Sequence, residues 1–272
     1  MRALAIALLL ACAARHGAPA PPAAPFLPPP PLTESEFKAL HTLRADQAPA
    51  SRGLAVDLAG TRAYLSLPAG APLGGVVVIH EWWGLNDHIR HWTDRLAGEG
   101  YAALAVDLYD GKTATDADAA MALMKSVDHA AAVRKLRAAL EFLASDARVR
   151  GTRRAAIGWC FGGGMALELA LAAPDLDAAV IYYGPLVADV ARLRAVRARL
   201  FGVFGTRDEA VPPEEVAAFE RAAAEAGVAL EIERYDAPHA FANPSGPRYD
   251  EAAAQDAWSR ARSFLRTALH PR

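Results

Sequence analysis

From about residue 51 onward, apolar positions fall alternately into strand-like and helix-like patterns. Val76 to His80 is a continuous apolar run, the signature of a strand buried on both faces. Shorter runs at Tyr101 to Val106, Arg154 to Ile157, Ala178 to Tyr182, Leu200 to Phe204 and Leu230 to Tyr235 read as further strands. Between them lie helical stretches: Asn86 to Glu99, Asp116 to Lys125, His129 to Ala144, Met165 to Ala173, Pro213 to Ala226 and Asp250 to Leu269. Leu54 to Leu58 and Arg62 to Leu67 form a hairpin pattern around Ala59-Gly60, and Glu34 to Arg44 predicts a short N-terminal helix. Strand and helix alternating with short connections predict an α/β fold. Its sheet is mostly parallel with helices on both faces, preceded by an antiparallel hairpin.

The first residues read differently. Arg2 precedes an apolar run, Ala3 to Ala11, that is too short to span a bilayer. Residues 1–20 are expected to be an export signal. Leu9-Leu10-Ala11-Cys12 resembles a lipoprotein signal, in which the chain is cut before Cys12 and that cysteine is lipidated; ordinary cleavage after Ala14 or Ala20 is the alternative. Residues 18–50 hold a Pro/Ala-rich tether and a short segment, and residues 51–272 the catalytic domain. The expected location is the periplasm, free or membrane-anchored through Cys12, as a monomer.

Composition narrows the partners. Hydrophobic residues make up 53% of the 272, enough for a large core, and a net charge of -2 gives no bias toward polyanions. The densest basic run, Arg192, Arg194, Arg197 and Arg199, falls within one expected helix and its exit, so no nucleic-acid partner is expected. No cofactor or metal is implied. His88 and His91 are three apart on one helix, where a polar helix face explains them better than a metal does.

The candidate chemistry sits at Gly158-Trp159-Cys160-Phe161-Gly162. A strand running into a Gly-x-nucleophile-x-Gly turn and then a helix is the pattern of a nucleophile elbow. Cys12 is the only other cysteine, so after its removal or lipidation Cys160 is the sole thiol. Ligands in open α/β sheets sit at the carboxyl ends of strands, and Glu81, Cys160, Asp208 and His239 all follow predicted strands. In the order Cys160, Asp208, His239 the last three match a nucleophile–acid–histidine triad. His239 takes the thiol proton and later donates it to the leaving group, while Asp208 orients the imidazole.

The chain resembles the dienelactone hydrolase family of α/β hydrolases over about Gly53 to Leu269. The resemblance rests on His80-Glu81-Trp82-Trp83-Gly84, Asp107-Leu108-Tyr109, the cysteine elbow, Tyr182-Tyr183-Gly184, Gly205-Thr206-Arg207-Asp208 and Pro238-His239-Ala240-Phe241. It implies the α/β-hydrolase fold and cysteine-dependent hydrolysis of a small ester or lactone through a thioester. It also implies that Glu81 helps deprotonate the thiol once substrate binds, and that the backbone amides of Phe161 and Trp82 form the oxyanion hole. The pocket residues expected are Trp83, Tyr109, Lys112, Tyr183, Phe241 and Asn243. Two arginines that clamp a substrate carboxylate in the family are replaced by Asp110-Gly111-Lys112 and Ala242-Asn243. The alternatives are an acyltransferase or thioesterase with the same triad, or a non-enzymatic binding or thiol-sensing module.

Overall fold

The computed structural model describes residues 33–42, 51–58, 60–149 and 153–270. The expected export signal, Cys12 and most of the tether lie outside the described residues. Eight strands form one sheet: β1 (Leu54–Leu58), β2 (Thr61–Ser66), β3 (Gly75–Ile79), β4 (Ala102–Val106), β5 (Arg154–Trp159), β6 (Ala178–Tyr182), β7 (Arg199–Gly205) and β8 (Leu230–Tyr235). Their order is β1-β2-β4-β3-β5-β6-β7-β8. The β1–β2 hairpin joins β4 antiparallel, and every later pairing is parallel. The sheet is therefore mostly parallel, as the alternation of strands and helices predicts.

The inner strands β3, β4 and β6 are apolar and buried at every position because both of their faces are covered. Along β3, Val77 and Ile79 point into one core with Leu136 and Leu140 of α4 (His129–Ser145) and Met165 and Leu169 of α5 (Phe161–Ala172). Val76 and Val78 point into the other, against Ile89, Trp92 and Leu96 of α2 (Asp87–Gly98) and Trp258 and Leu265 of α8 (Glu251–Leu269). Helices α3 (Ala117–Lys125), α6 (Val190–Leu193) and α7 (Pro213–Ala226) complete the layers. Asn86, Asp116 and Asp250 cap α2, α3 and α8 by accepting backbone N–H bonds, which fixes where each helix starts.

Two expectations are corrected. The arginine run extends beyond one helix and its exit: α6 holds only Arg192 of the four, Arg194 is its C-cap, and Arg199 begins β7. Arg192 pairs with Glu168 and Arg199 with Glu231, so carboxylates neutralise them locally. His88 and His91 are not on a polar face but buried, 8% and 7% exposed. Among the described residues no helix is long and apolar enough to cross a membrane.

The N-terminal helix α1 (Glu34–Thr42) docks on the body through a buried charge. Glu34 accepts from the Arg95 guanidinium at 2.8 Å, and Arg95 lies over the rings of Phe37, Trp92 and Trp258. Glu34 also accepts from the Tyr249 hydroxyl at 2.7 Å, which ties α1 to the loop leading into α8.

Candidate active site

β5 lies between β3 and β6 near the middle of the sheet, and Cys160 follows its last residue. Its backbone is held at φ +54°, a strained region for any residue with a Cβ. The turn is tight enough to dictate its glycines. A Cβ on Gly158 would stand 2.1 Å from the carbonyl oxygen of Gly162, and one on Gly162 would stand 2.3 Å from that of Ile79. α5 begins at Phe161, so its first N–H groups lack intrahelical acceptors and face the thiol end of the turn. Burial, then the neighbouring charge of Glu81, pushes the Cys160 thiol up to about 12, against a smaller opposing contribution from the Phe161 N–H. At rest the sulfur is a thiol.

Asp208 and His239 come from the loops after β7 and β8. His239 Nδ1 lies 2.8 Å from Asp208 Oδ2, and the other Asp208 oxygen accepts from the N–H groups of Ala210 at 2.8 Å and Val211 at 3.0 Å. Asp208 thus starts a turn and faces the imidazole at once. Burial raises its carboxyl, but these hydrogen bonds outweigh burial and hold it below its ordinary value. With an ionised carboxylate on Nδ1, the proton belongs on Nδ1 and Nε2 is free to act as a base. The Tyr183 ring stands edge-on to His239 at 5.1 Å.

Glu81 is 2% exposed, two residues past the end of β3. Its carboxyl is pushed up to about 7, chiefly by burial, against the Asn243 hydrogen bond and the charge of Arg248. Asn243 Nδ2 donates to Glu81 Oε2 at 2.5 Å. Arg90 does not reach Glu81; it pairs with Asp87 at 2.6 Å. His80 pins this segment. Its Nδ1–H donates to the Glu81 carbonyl at 2.6 Å, and its Nε2 accepts from Leu108 N–H at 3.2 Å. Burial pulls the imidazole down to about 4, so it stays neutral and serves as a strut.

Cys160, His239, Glu81, Trp82, Trp83 and Asn243 line one cavity of about 340 Å³. Met121, Met124, Ala210, Ala240, Gly246, Pro247 and Arg248 complete its wall. Four of the expected pocket residues do not line this cavity. Tyr183 and Phe241 are fully buried; Tyr183 packs on His239 and on Phe241. Tyr109 is 4% exposed and supports the Phe161 ring from behind. Lys112 opens onto neighbouring hollows, so it does not stand in for the missing arginine. Arg248, which the sequence reading did not single out, supplies the cavity's cation. It lies nine residues past His239, and only the return of the loop toward α8 brings it to the mouth. Met121 and Met124 carried one weak signal, their i, i+3 spacing on α3. Among the described residues no group of three or more His, Cys, Asp or Glu side chains is arranged to hold a metal ion.

The profile of the dienelactone hydrolase family matches residues 61–269. A protein of Escherichia coli K12, provisionally named a carboxymethylenebutenolidase, is 35% identical over 204 residues, covering 70% of this chain and 75% of its own. The protein usf of Aquifex pyrophilus is 34% identical over 223 residues, covering 76% and 94%. Among solved structures, a provisionally named dienelactone hydrolase of Klebsiella pneumoniae superposes with a TM-score of 0.72 at 28% identity, covering 81% of this chain and 98% of that one.

Proposed function

The chain belongs to the dienelactone hydrolase family and is a hydrolase; from that premise we propose that it cleaves small carboxylic esters or lactones with Cys160 as nucleophile. The observation that carries the reading is the His239–Asp208 contact at 2.8 Å on a cavity that also holds Cys160. Asp208 keeps the proton on Nδ1, so Nε2 accepts the thiol proton and the sulfur attacks the carbonyl carbon. Glu81, beside the sulfur, assists removal of that proton when substrate fills the cavity. The amides of Phe161 and Trp82 hold the oxyanion, and His239 returns its proton to the leaving alkoxide. Water activated by His239 then cleaves the thioester and restores the thiol. A resting thiol also protects Cys160 from oxidation, because the thiolate is the reactive form.

The cavity wall speaks to the acyl part. Two tryptophans, two methionines and Ala240 present apolar surface, and Arg248 offers one cation to a substrate's anionic end. The test offers p-nitrophenyl acetate and a lactone panel to the wild type, Cys160→Ala and His239→Ala. Turnover by the wild type and near-complete loss in both variants is the expected result. Equal rates in all three would refute the triad. The N-terminal reading is a separate proposal, a lipid anchor on Cys12. An acylated N-terminus in the membrane fraction supports it, and an unacylated N-terminus downstream of Cys12 refutes it.

A further inference from the structure

Glu81 Oε2, which accepts from Asn243, faces a second side chain. His88 Nε2 lies 3.8 Å away, at ion-pair distance, and both residues are buried. On the far side of the same ring, His88 Nδ1 lies 3.5 Å from the Oγ of Ser245, an exposed residue. Of these neighbours, Asn243 is an amide that donates but does not ionise, whereas the His88 imidazole can take up a proton and become a cation. We propose that protonated His88 forms a buried ion pair with Glu81, making His88 a positioning residue that favours the ionised carboxylate beside Cys160. The proposal rests on the reading of Cys160 as nucleophile and adds a residue to it. The exchange is balanced: the O–H bond of neutral Glu81 breaks, an N–H bond forms at His88 Nε2, and carboxylate and imidazolium result.

The charges around the pair are consistent with this. From the loop before α8, Arg248 acts on Glu81, and Ser245 presents its hydroxyl to the imidazole. From the elbow, Cys160 is coupled to Glu81. On α2 itself, Asp87 is engaged by Arg90, and His91 lies one turn on. The Trp92 ring stands edge-on to His88 at 6.5 Å, and the Arg95 charge beyond it is matched by Glu34. A buried carboxylate is costly to ionise alone, and an opposite charge within about 4–6 Å favours the ionised form.

The consequence is a shift in pH dependence. In His88→Gln, which keeps a donor but holds no proton, the acid limb of kcat/KM moves up by about one pH unit. In the Glu81→Gln background the same substitution produces no shift. A second measurement does not depend on His88→Gln folding: NMR titration of the His88 ring in wild type and in Glu81→Gln. Its apparent pKa falls by about half a unit or more once the carboxylate is gone. Superimposable pH profiles for wild type and His88→Gln, or a His88 titration unmoved by Glu81→Gln, would overturn the pairing. Cys160→Ala run alongside separates the two levels. Turnover that survives it sinks the nucleophile reading, while the NMR titration still decides the pair.

Discussion

Asp208→Asn isolates the imidazole's proton from every other feature of the site. One Asp208 oxygen is held by the N–H groups of Ala210 and Val211, at 2.8 and 3.0 Å. In the variant those two donors must meet the amide oxygen, because the amide nitrogen accepts nothing. The NH2 group is then turned to His239 Nδ1, where the carboxylate sat at 2.8 Å. That geometry makes Nδ1 the acceptor and moves the ring proton to Nε2, so the imidazole no longer takes a proton from Cys160. A wrong tautomer in such a triad costs about 10⁴ in kcat, or about 5 kcal/mol of barrier at 1.36 kcal/mol per tenfold. Shape and both backbone hydrogen bonds survive, so the melting temperature changes little. The assay is kcat for p-nitrophenyl acetate near neutral pH, beside thermal unfolding followed by circular dichroism. A folded variant keeping more than about a tenth of wild-type kcat would refute the tautomer argument.

Gly158→Ala places a methyl 2.1 Å from the Gly162 carbonyl, backbone against backbone, so the elbow must open; a loss of about 1–3 kcal/mol in denaturant titration and at least a tenfold fall in kcat are expected. Glu81→Gln has a pH-dependent sign: the folded-state carboxyl is raised from 4.5 to about 7, so its favourable contribution is full below the unfolded value and lost as pH rises through about 7. The variant should therefore be more stable than wild type at about pH 8, by up to ~3 kcal/mol, with the difference vanishing near pH 4; it should also be less active. Glu34→Ala leaves the Arg95 guanidinium, 2% exposed beneath three rings, without its carboxylate; a cost of about 3 kcal/mol in chemical denaturation is expected, and an unchanged midpoint would contradict the docking of α1.

Much of this architecture was legible because its causes are local. The run Val76 to Ile79 is apolar at every position because cores lie on both faces, and α7 and β8 end where the sequence pattern ends. Gly158 and Gly162 mark the elbow because backbone contacts leave no room for a Cβ. Asp208 and His239 were found by their place after strands. What stayed hidden depends on where loops return. Tyr183 follows the end of β6 and Phe241 lies two residues past His239, yet both side chains are fully buried, and strand-end position alone does not say which way a side chain points. Asn243 was expected in the pocket, but its bond to Glu81, the approach of Ser245 to His88 and the place of Arg248 at the cavity mouth arise only because the loop after β8 folds back before α8. α5 starts four residues earlier than its hydrophobic pattern, since three consecutive glycines carry little helical signal. The docking of α1 was likewise invisible, as it depends on Arg95 meeting Glu34 across 61 residues of chain.

The central claim is that Cys160 carries the acyl group. Rapid mixing of wild type with excess p-nitrophenyl acetate, quenched in acid and digested, tests it directly by mass spectrometry of the Cys160 peptide. The account predicts a burst of p-nitrophenol of one equivalent per chain and an acetyl group on Cys160, both absent in Cys160→Ala. Turnover without an acetylated Cys160 peptide, persisting in Cys160→Ala, would contradict it.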